Sequence, residues 1–218
     1  MKNLAVLFDM DGVICHTNPF HSQAFQKFFA KRNLHPSEEE FAQHMYGKSN
    51  SYIFNHFLKR EVKGDEFRKL EDEKEGLFRE IYEPQINPIP GFLDFLNGLK
   101  LNGIKTAVAT SAPRANMDLI IKRLGLDTKM ESFLASEDVN THKPEPEVYL
   151  KSADNLSAHP DNCVVFEDSF SGVSAAINAG MKVVGVLSSH TKEELPPCQL
   201  YIENYYDINL KMVANLVE

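Results

Sequence analysis

Two aspartates stand two residues apart at the point where a short apolar run stops. The run is Val6-Leu7-Phe8, and Asp9, Asp11 and Gly12 follow it closely. An aspartate is already ionised at neutral pH, so it needs no base to act as a nucleophile. A second carboxylate two residues further on can exchange protons with a leaving oxygen and then with water. The spacing therefore suits group transfer, although Asp-x-Asp-Gly taken alone is more often a turn.

Further polar side chains stand where other predicted strands end, or in a loop before a helix. They are Thr110, Ser111, Lys143, Glu167 and Asp168. In an open α/β sheet, ligands bind beyond the carboxyl ends of the strands, so these side chains are expected to converge at one edge. Thr110 could instead simply end its strand, and Lys143 could be a solvated loop lysine.

Several carboxylates cannot share a small site unless a cation lies between them. Ligand sets made only of oxygens favour Mg²⁺. A magnesium ion and a lysine together withdraw charge from phosphoryl oxygens, which favours attack by a carboxylate on phosphorus. The pattern therefore predicts a Mg²⁺-dependent phosphoryl-transfer site.

The elements that must hold these residues alternate between strands and helices. Apolar runs predict buried strands at residues 4–8, 105–110, 164–167 and 183–187. Amphipathic helices lie between them, which predicts an α/β fold: a Rossmann-like parallel sheet with helices on both faces.

Residues 18–83 have a different pattern and predict helices only. We expect these helices at residues 19–31, 37–45, 49–58 and 65–82. Proline-marked hinges bracket the block. We therefore predict an all-helical cap at 18–83, inserted after the first strand of a catalytic core formed by 1–17 and 84–218.

Four motifs in order carry a family resemblance. Phe8-Asp9-Met10-Asp11-Gly12-Val13, Thr110, Lys143-Pro144 and Glu167-Asp168-Ser169 resemble the signatures of the haloacid dehalogenase superfamily of phosphotransferases. The likeness covers essentially the whole chain and is closest to the subgroup of β-phosphoglucomutase and related sugar-phosphate phosphatases. The predicted helical insert resembles the small helical cap of that family.

The resemblance implies that Asp9 forms an aspartyl-phosphate and also binds Mg²⁺. It implies that Asp11 is the general acid and base, with its main-chain carbonyl on the metal. Thr110 and the neighbouring backbone at Ser111 would hold the phosphoryl oxygens.

The resemblance also implies that Lys143 neutralises charge between the phosphate and Asp9. Asp168, together with Glu167, would complete the metal site. Which of these two carboxylates binds the metal directly is left open by the sequence.

Candidate substrate-binding residues in the insert and after the second strand rest on weaker matches. His21 and Lys74 fall where relatives use cap residues to contact the substrate or the acid/base group. Gly47-Lys48-Ser49 resembles the cap's substrate-specificity loop. Asn50 stands where β-phosphoglucomutase has an arginine for the second phosphate. Each has a plainer interpretation: His21 lies on a phenylalanine-rich helix, and Lys74 lies in a charged run typical of a solvated face. Arg114 could meet phosphate or cap the following helix.

Composition narrows the range of partners. The chain has 218 residues and a net charge of -8, which disfavours binding to nucleic acid or to anionic membrane. Its three cysteines are far apart and are expected to be reduced thiols. The N-terminal apolar run is cut by Asp9 and does not resemble a signal peptide. We expect a cytoplasmic monomer.

The sequence therefore predicts a Mg²⁺-dependent phosphatase that hydrolyses a small phosphorylated metabolite, with a sugar phosphate as the favoured class. One alternative is a mutase of the β-phosphoglucomutase type. A second is a non-catalytic protein that binds a phosphorylated metabolite, although binding alone would not require both Asp9 and Asp11. Substrate choice is expected to depend on side chains of the cap.

Overall fold

A parallel sheet forms the centre of the fold. The computed structural model describes residues 4–45 and 49–218, and within them the sheet has six strands in the order β3-β2-β1-β4-β5-β6. Every neighbouring pair is parallel. The strands are β1 (Ala5–Phe8), β2 (Lys105–Ala109), β3 (Ser132–Leu134), β4 (Cys163–Glu167), β5 (Lys182–Val186) and β6 (Leu200–Ile202).

The helices fall into two compact units. One unit is Thr17–Gln85, and the other combines Met1–His16 with Ile86–Glu218 and holds the sheet. The helical unit contains α1 (Asn18–Ala30), α2 (Glu38–Met45), α3 (Asn50–Leu58) and α4 (Gly64–Tyr82). The sheet unit contains α5 (Phe92–Leu101), α6 (Arg114–Leu124), α7 (Glu147–Leu156), α8 (Phe170–Asn178) and α9 (Leu210–Ala214).

Strand β1 is buried on both faces. Its successive side chains point to opposite sides of the sheet, so they enter the core on each side in turn. Ala5 and Leu7 join the core covered by α7 and α8. Phe8 faces the other side, where its ring centroid lies 5.4 Å from that of Phe92 in α5 and 5.0 Å from that of Phe166 in β4. Apolar residues in every position are what a central parallel strand requires.

The strand order creates a switch point at β1. The chain passes from β1 to β2 on one side and later places β4 on the other, so a crevice opens beyond the carboxyl ends of β1 and β4. Phe8 pairs in register with Val108 and with Phe166. Asp9, the residue that follows β1, therefore lies between the carboxyl ends of β2 and β4.

The helical unit has its own aromatic core. Phe28 and Phe54 are fully buried, with ring centroids 5.1 Å apart. Two serines begin helices as N-caps: Ser37 accepts from the Glu40 backbone N–H at 3.2 Å, and Ser49 accepts from that of Tyr52 at 3.3 Å.

The predicted fold class is confirmed, and each predicted strand and helix of the chain agrees with its observed counterpart within one residue at each end. The prediction missed β3 and β6, the two edge strands, which have three residues each. A run of three residues is too short to display a period-two pattern. Among the described residues, no helix is long and apolar enough to cross a membrane.

We predict that Phe8→Ala lowers the free energy of unfolding by about 3–5 kcal/mol, because it leaves a cavity in a close-packed core. Urea denaturation monitored by circular dichroism measures the change. Phe170→Ala is the matched control: Phe170 is 61% exposed, so its removal should cost no more than about 0.5 kcal/mol. Similar losses in the two variants would contradict this assignment of the core.

Candidate active site

The turn after β1 brings Asp9 and Asp11 to the switch point. The Asp9 backbone N–H donates to the Phe166 carbonyl at 3.0 Å, which continues the sheet by one residue. The Met10 carbonyl then accepts from the Ile14 N–H at 2.9 Å, so the chain reverses within a few residues. Asp9 is buried and Asp11 is half-buried.

Gly12 is required in this turn for two reasons. Its φ is +74°, a left-handed conformation that glycine adopts without strain. A Cβ at Gly12 would also overlap the carboxylate of Asp168 and would lie 2.9 Å from Ser188 Oγ. The turn is therefore packed directly against the residue that follows β4.

Lys143 lies between the ends of β1, β2 and β4. Its Nζ donates to Asp9 Oδ1 at 2.6 Å, to Glu167 Oε1 at 2.7 Å and to the Ala109 carbonyl at 3.1 Å. The side chain is only 4% exposed. Burial alone would lower the pKa of the ammonium, but Asp9 and Glu167 outweigh it and raise that pKa well above its usual value. Lys143 is therefore a permanent cation at the centre of the site.

Glu167 is held entirely by donors of the protein. Its Oε1 accepts from Lys143 Nζ and from the Tyr149 hydroxyl, at 2.7 and 2.9 Å. Its Oε2 accepts from the Asp168 N–H at 2.9 Å and from both the N–H and the hydroxyl of Ser169 at 3.0 Å. Burial raises the pKa of Glu167, but Lys143 and these hydrogen bonds outweigh it and lower the pKa overall. Glu167 is thus an ionised, fully hydrogen-bonded carboxylate.

Asp9 and Asp168 are less fully compensated. Burial raises the pKa of Asp9 to about 7, with Lys143 opposing the rise and Glu167 adding to it. Burial and the nearby charges of Glu167 and Asp9 raise the pKa of Asp168 well above its usual range. One lysine does not balance three carboxylates in a buried site, so the arrangement favours an additional cation.

The donor set fits a hard divalent cation. One carboxylate oxygen from each of Asp9, Glu167 and Asp168 lies within 4.8 Å of the others, and no other such group of acidic, histidine or cysteine side chains occurs in the described part of the chain. All the donors are oxygens, which is the ligand type that Mg²⁺ prefers. Asp9 and Asp168 have the oxygens best able to bind it, because the oxygens of Glu167 already accept hydrogen bonds.

Thr110 follows β2 and is buried, with its N–H donating to the Leu134 carbonyl at 3.0 Å. Its hydroxyl accepts from the Ala112 N–H at 3.0 Å, which shapes the turn after the strand. Ser111 lies between them and is exposed. The strand therefore delivers Thr110 to the same edge as the Ala109 carbonyl that binds Lys143.

Arg114 is placed elsewhere. Its guanidinium forms an ion pair with Asp138 and donates to the Phe133 carbonyl at 3.3 Å, and its N–H donates to the Glu137 carboxylate at 2.9 Å. These contacts tie the start of α6 to the segment after β3. Of the two interpretations that the sequence left open, the geometry favours the structural one at the helix start, not a phosphate contact.

The predicted insert residues form a separate polar network within the helical unit. Lys74 Nζ lies 2.8 Å from His21 Nδ1 and 2.8 Å from Glu75 Oε1, and Lys74 is only 2% exposed. The interpretation of Lys74 as a solvated lysine is therefore wrong. The His21 ring stacks on that of Phe78 with centroids 3.8 Å apart.

Asn50 joins the same network. Its amide nitrogen donates to Glu71 Oε1 at 2.9 Å and to Glu75 Oε1 at 3.0 Å. Ser49 acts as the N-cap of α3. Gly47 and Lys48, which were also predicted to bind substrate, lie outside the described residues.

Sequence reasoning missed Tyr149. It is fully buried on α7, donates its hydroxyl to Glu167 Oε1 and places its ring centroid 4.9 Å from Lys143 Nζ. A cation over an aromatic face is stabilised by the ring quadrupole. The only signal in the sequence is its position six residues after Lys143, which places it on the first turn of the following helix.

Glu147 orders the loop that carries Lys143. Its carboxylate accepts from Lys151 Nζ at 2.7 Å, from the Asn140 N–H at 3.0 Å and from the Thr141 N–H at 2.7 Å. The Lys151 contact and these backbone hydrogen bonds hold the pKa of Glu147 well below its usual range. The carboxylate thus fixes the chain shortly before Lys143.

The chain is similar to known hydrolases in sequence and in fold. A family model described as haloacid dehalogenase-like hydrolase matches residues 6–186. The phosphorylated carbohydrates phosphatase of Thermotoga maritima is 33% identical over 190 residues, which span 85% of this chain and 86% of that protein.

Two solved structures are similar along nearly their whole length. A HAD hydrolase of family IA, variant 3, from Entamoeba histolytica superposes with a TM-score of 0.92 at 27% identity, covering 98% of this chain and 99% of that one. A putative β-phosphoglucomutase from Thermotoga maritima gives a TM-score of 0.74 at 25% identity, covering 98% of each chain.

We predict that Glu147→Gln destabilises the protein at pH 7 but has little effect at low pH. Because the folded-state pKa is depressed, the carboxylate's contribution is complete above its unfolded pKa of about 4.3. It falls as the pH drops below that value and is gone below the folded pKa. The difference in unfolding free energy between wild type and variant, measured in urea, should therefore be larger at pH 7 than at pH 3.

Glu145→Gln, an exposed carboxylate of the same loop, is the matched control and should change little at either pH. A gap for Glu147→Gln that stays constant across this pH range would contradict the role assigned to its ionised form.

Proposed function

The chain belongs to the haloacid dehalogenase-like hydrolase family and is a phosphoric monoester hydrolase, and from this premise we propose its metal, mechanism and substrate class. The protein uses Mg²⁺ and hydrolyses a small phosphorylated metabolite through an aspartyl-phosphate at Asp9. The observation that supports this most is the buried contact of 2.6 Å between Asp9 Oδ1 and Lys143 Nζ, in a site with two further carboxylates.

In the proposed reaction, a carboxylate oxygen of Asp9 attacks phosphorus, and the bond from phosphorus to the ester oxygen breaks. Asp11 gives its proton to the departing alcohol oxygen. Water then attacks the phosphorus of the aspartyl-phosphate and Asp11 takes a proton from it, so that phosphate leaves and Asp9 is restored. Lys143 offsets the negative charge that Asp9 and the phosphoryl group bring together.

We assign different tasks to the two carboxylates at the end of β4. Asp168 is the direct metal ligand, together with the Asp9 carboxylate and the Asp11 main-chain carbonyl. Glu167 holds Lys143 in place, because its oxygens already accept hydrogen bonds from five donors. A bound Mg²⁺ would supply additional neutralisation of the phosphoryl oxygens.

The favoured substrate class is a sugar phosphate. This follows from the similarity to the phosphorylated carbohydrates phosphatase and from the predicted cap. The runner-up is a mutase, since a putative β-phosphoglucomutase has the same fold. Asn50 favours the hydrolase. Its neutral amide donates hydrogen bonds to Glu71 and Glu75, whereas a mutase must bind a second phosphate.

We predict that Asp9→Asn lowers kcat by at least about 10³-fold, as expected for the loss of a covalent nucleophile. The amide has almost the same shape but is not nucleophilic, so the melting temperature should not fall. Hydrolysis of p-nitrophenyl phosphate and a thermal melt measure the two effects. Asp118→Asn, at an exposed position, is the control. Substantial turnover by Asp9→Asn would refute the covalent mechanism.

We predict that chelation by EDTA abolishes hydrolysis and that added Mg²⁺ restores it. Asp168→Ala should raise the Mg²⁺ concentration needed for half-maximal activity by at least about tenfold, the lower range of losses even for indirect partners of a metal. Excess Mg²⁺ should recover part of the rate. Wild-type activity that survives exhaustive chelation would rule out the metal.

We predict that phosphate release from sugar monophosphates is faster than conversion of β-glucose 1-phosphate to glucose 6-phosphate. Asn50→Arg should tighten binding of a bisphosphorylated sugar about tenfold, because charged hydrogen bonds are stronger than neutral ones. Asn50→Gln keeps a neutral amide and is the control. A wild type that isomerises β-glucose 1-phosphate faster than it hydrolyses any monophosphate would establish the mutase instead.

A further inference from the structure

The loop after β5 contacts two parts of the site that no motif links to it. Ser188 Oγ donates to the Gly12 carbonyl at 2.5 Å and lies 3.4 Å from Asp168 Oδ2. The Ser189 hydroxyl is 3.3 Å from that of Ser188, and its side chain is hydrogen-bonded to Asp168. His190 Nδ1 lies 2.8 Å from the Asp168 carbonyl. Three consecutive residues thus hold Asp168 and the turn after β1.

Gly12, Asp168 and Ser188 are closely packed where these contacts meet. The space that a Cβ of Gly12 would need is already occupied by the Asp168 carboxylate, with Ser188 Oγ on its border. The turn, the carboxylate and the serine hydroxyl therefore touch one another. A shift in any one of them must therefore displace a neighbour or open a gap.

Neutral donors suit this position. Lys143 contacts Asp9 and Glu167, whereas Asp168 is contacted by hydroxyl groups. A hydroxyl can orient a carboxylate without cancelling its charge, so the carboxylate keeps its attraction for a cation. Hydrogen-bond partners behind a ligand commonly contribute 10–100-fold to metal affinity, because they fix the direction of the ligand's lone pairs.

We propose that Ser188, assisted by Ser189, is a positioning residue for the metal. It holds Asp168 against the Asp9–Gly12 turn, so that the carboxylates of Asp9 and Asp168 and the main-chain carbonyl of Asp11 can share one Mg²⁺. This inference rests on the proposed function, since it concerns the ion assigned there. A serine that served only the fold would affect stability and leave metal affinity unchanged.

The test is a calorimetric titration of the purified full-length protein with Mg²⁺. We expect the Mg²⁺ dissociation constant to rise about 10-fold or more in Ser188→Ala, and further in the double variant Ser188→Ala/Ser189→Ala. Ser189→Thr retains the hydroxyl and should bind Mg²⁺ like the wild type. The kcat for p-nitrophenyl phosphate in Ser188→Ala should recover at saturating Mg²⁺, because the reacting groups are intact.

Ser174→Ala is the matched control. The Ser174 hydroxyl also donates to a main-chain carbonyl, that of Phe170 at 2.7 Å, but on the exposed side of α8. Its loss should leave Mg²⁺ affinity unchanged. Thermal melts of the metal-free proteins show which variants are folded. If Ser188→Ala does not fold, the Mg²⁺ dissociation constants of Ser189→Ala and Ser189→Thr are compared. Weaker binding by Ser189→Ala supports the inference, and equal binding would overturn it.

Unchanged Mg²⁺ affinity in folded Ser188→Ala and Ser189→Ala would overturn this inference and leave the proposed function standing. A melting temperature that falls without any change in Mg²⁺ affinity would also overturn it, as would an equal loss of affinity in Ser174→Ala. A wild-type protein that is folded but binds no Mg²⁺ would overturn the metal assignment and this inference together.

Discussion

The site depends on one buried cation, the ammonium of Lys143, held between two carboxylates. Its distances of 2.6 Å to Asp9 and 2.7 Å to Glu167 join the ends of neighbouring strands β1 and β4. Removing charges from water is costly, and Lys143 is stable in this buried place because two carboxylates and the Ala109 carbonyl accept hydrogen bonds from it. The surrounding donors, including Tyr149, keep this arrangement in a single geometry.

The unequal sharing of donors gives the carboxylates different chemistry. Both carboxylate oxygens of Glu167 already accept hydrogen bonds from the protein, so this residue has a structural role. Asp9 shares only part of the lysine's charge, and Asp168 relies on hydroxyl groups. Asp9 and Asp168 are therefore the carboxylates whose ionised forms a bound divalent cation would stabilise most. The fold brings them together by placing a switch point of strand order between β1 and β4.

The sequence predicted this site because polar side chains stand at the ends of predicted strands. Asp9 and Glu167 follow apolar runs whose parallel pairing leaves one possible meeting place, and Lys143 is brought there by the loop before α7. The side chain of Tyr149 looks like any core aromatic until its three-dimensional neighbours are known. Lys74 was harder still: its charged neighbours in the sequence suggested solvent, yet packing against α1 buries it. Edge strands β3 and β6 were missed because hydrogen bonds to longer neighbours, not their own pattern, define them.

The claim that all of this supports is that the phosphoryl group passes through Asp9. Acid-quenched samples taken during turnover, treated with borohydride and examined by peptide mass spectrometry, test it directly, since borohydride reduces an acyl phosphate to the alcohol. The account predicts that the peptide containing Asp9 carries homoserine at that position, only when substrate and Mg²⁺ are both present. An unmodified Asp9 in samples that are releasing phosphate, or a phosphoryl group trapped on another residue, would contradict it.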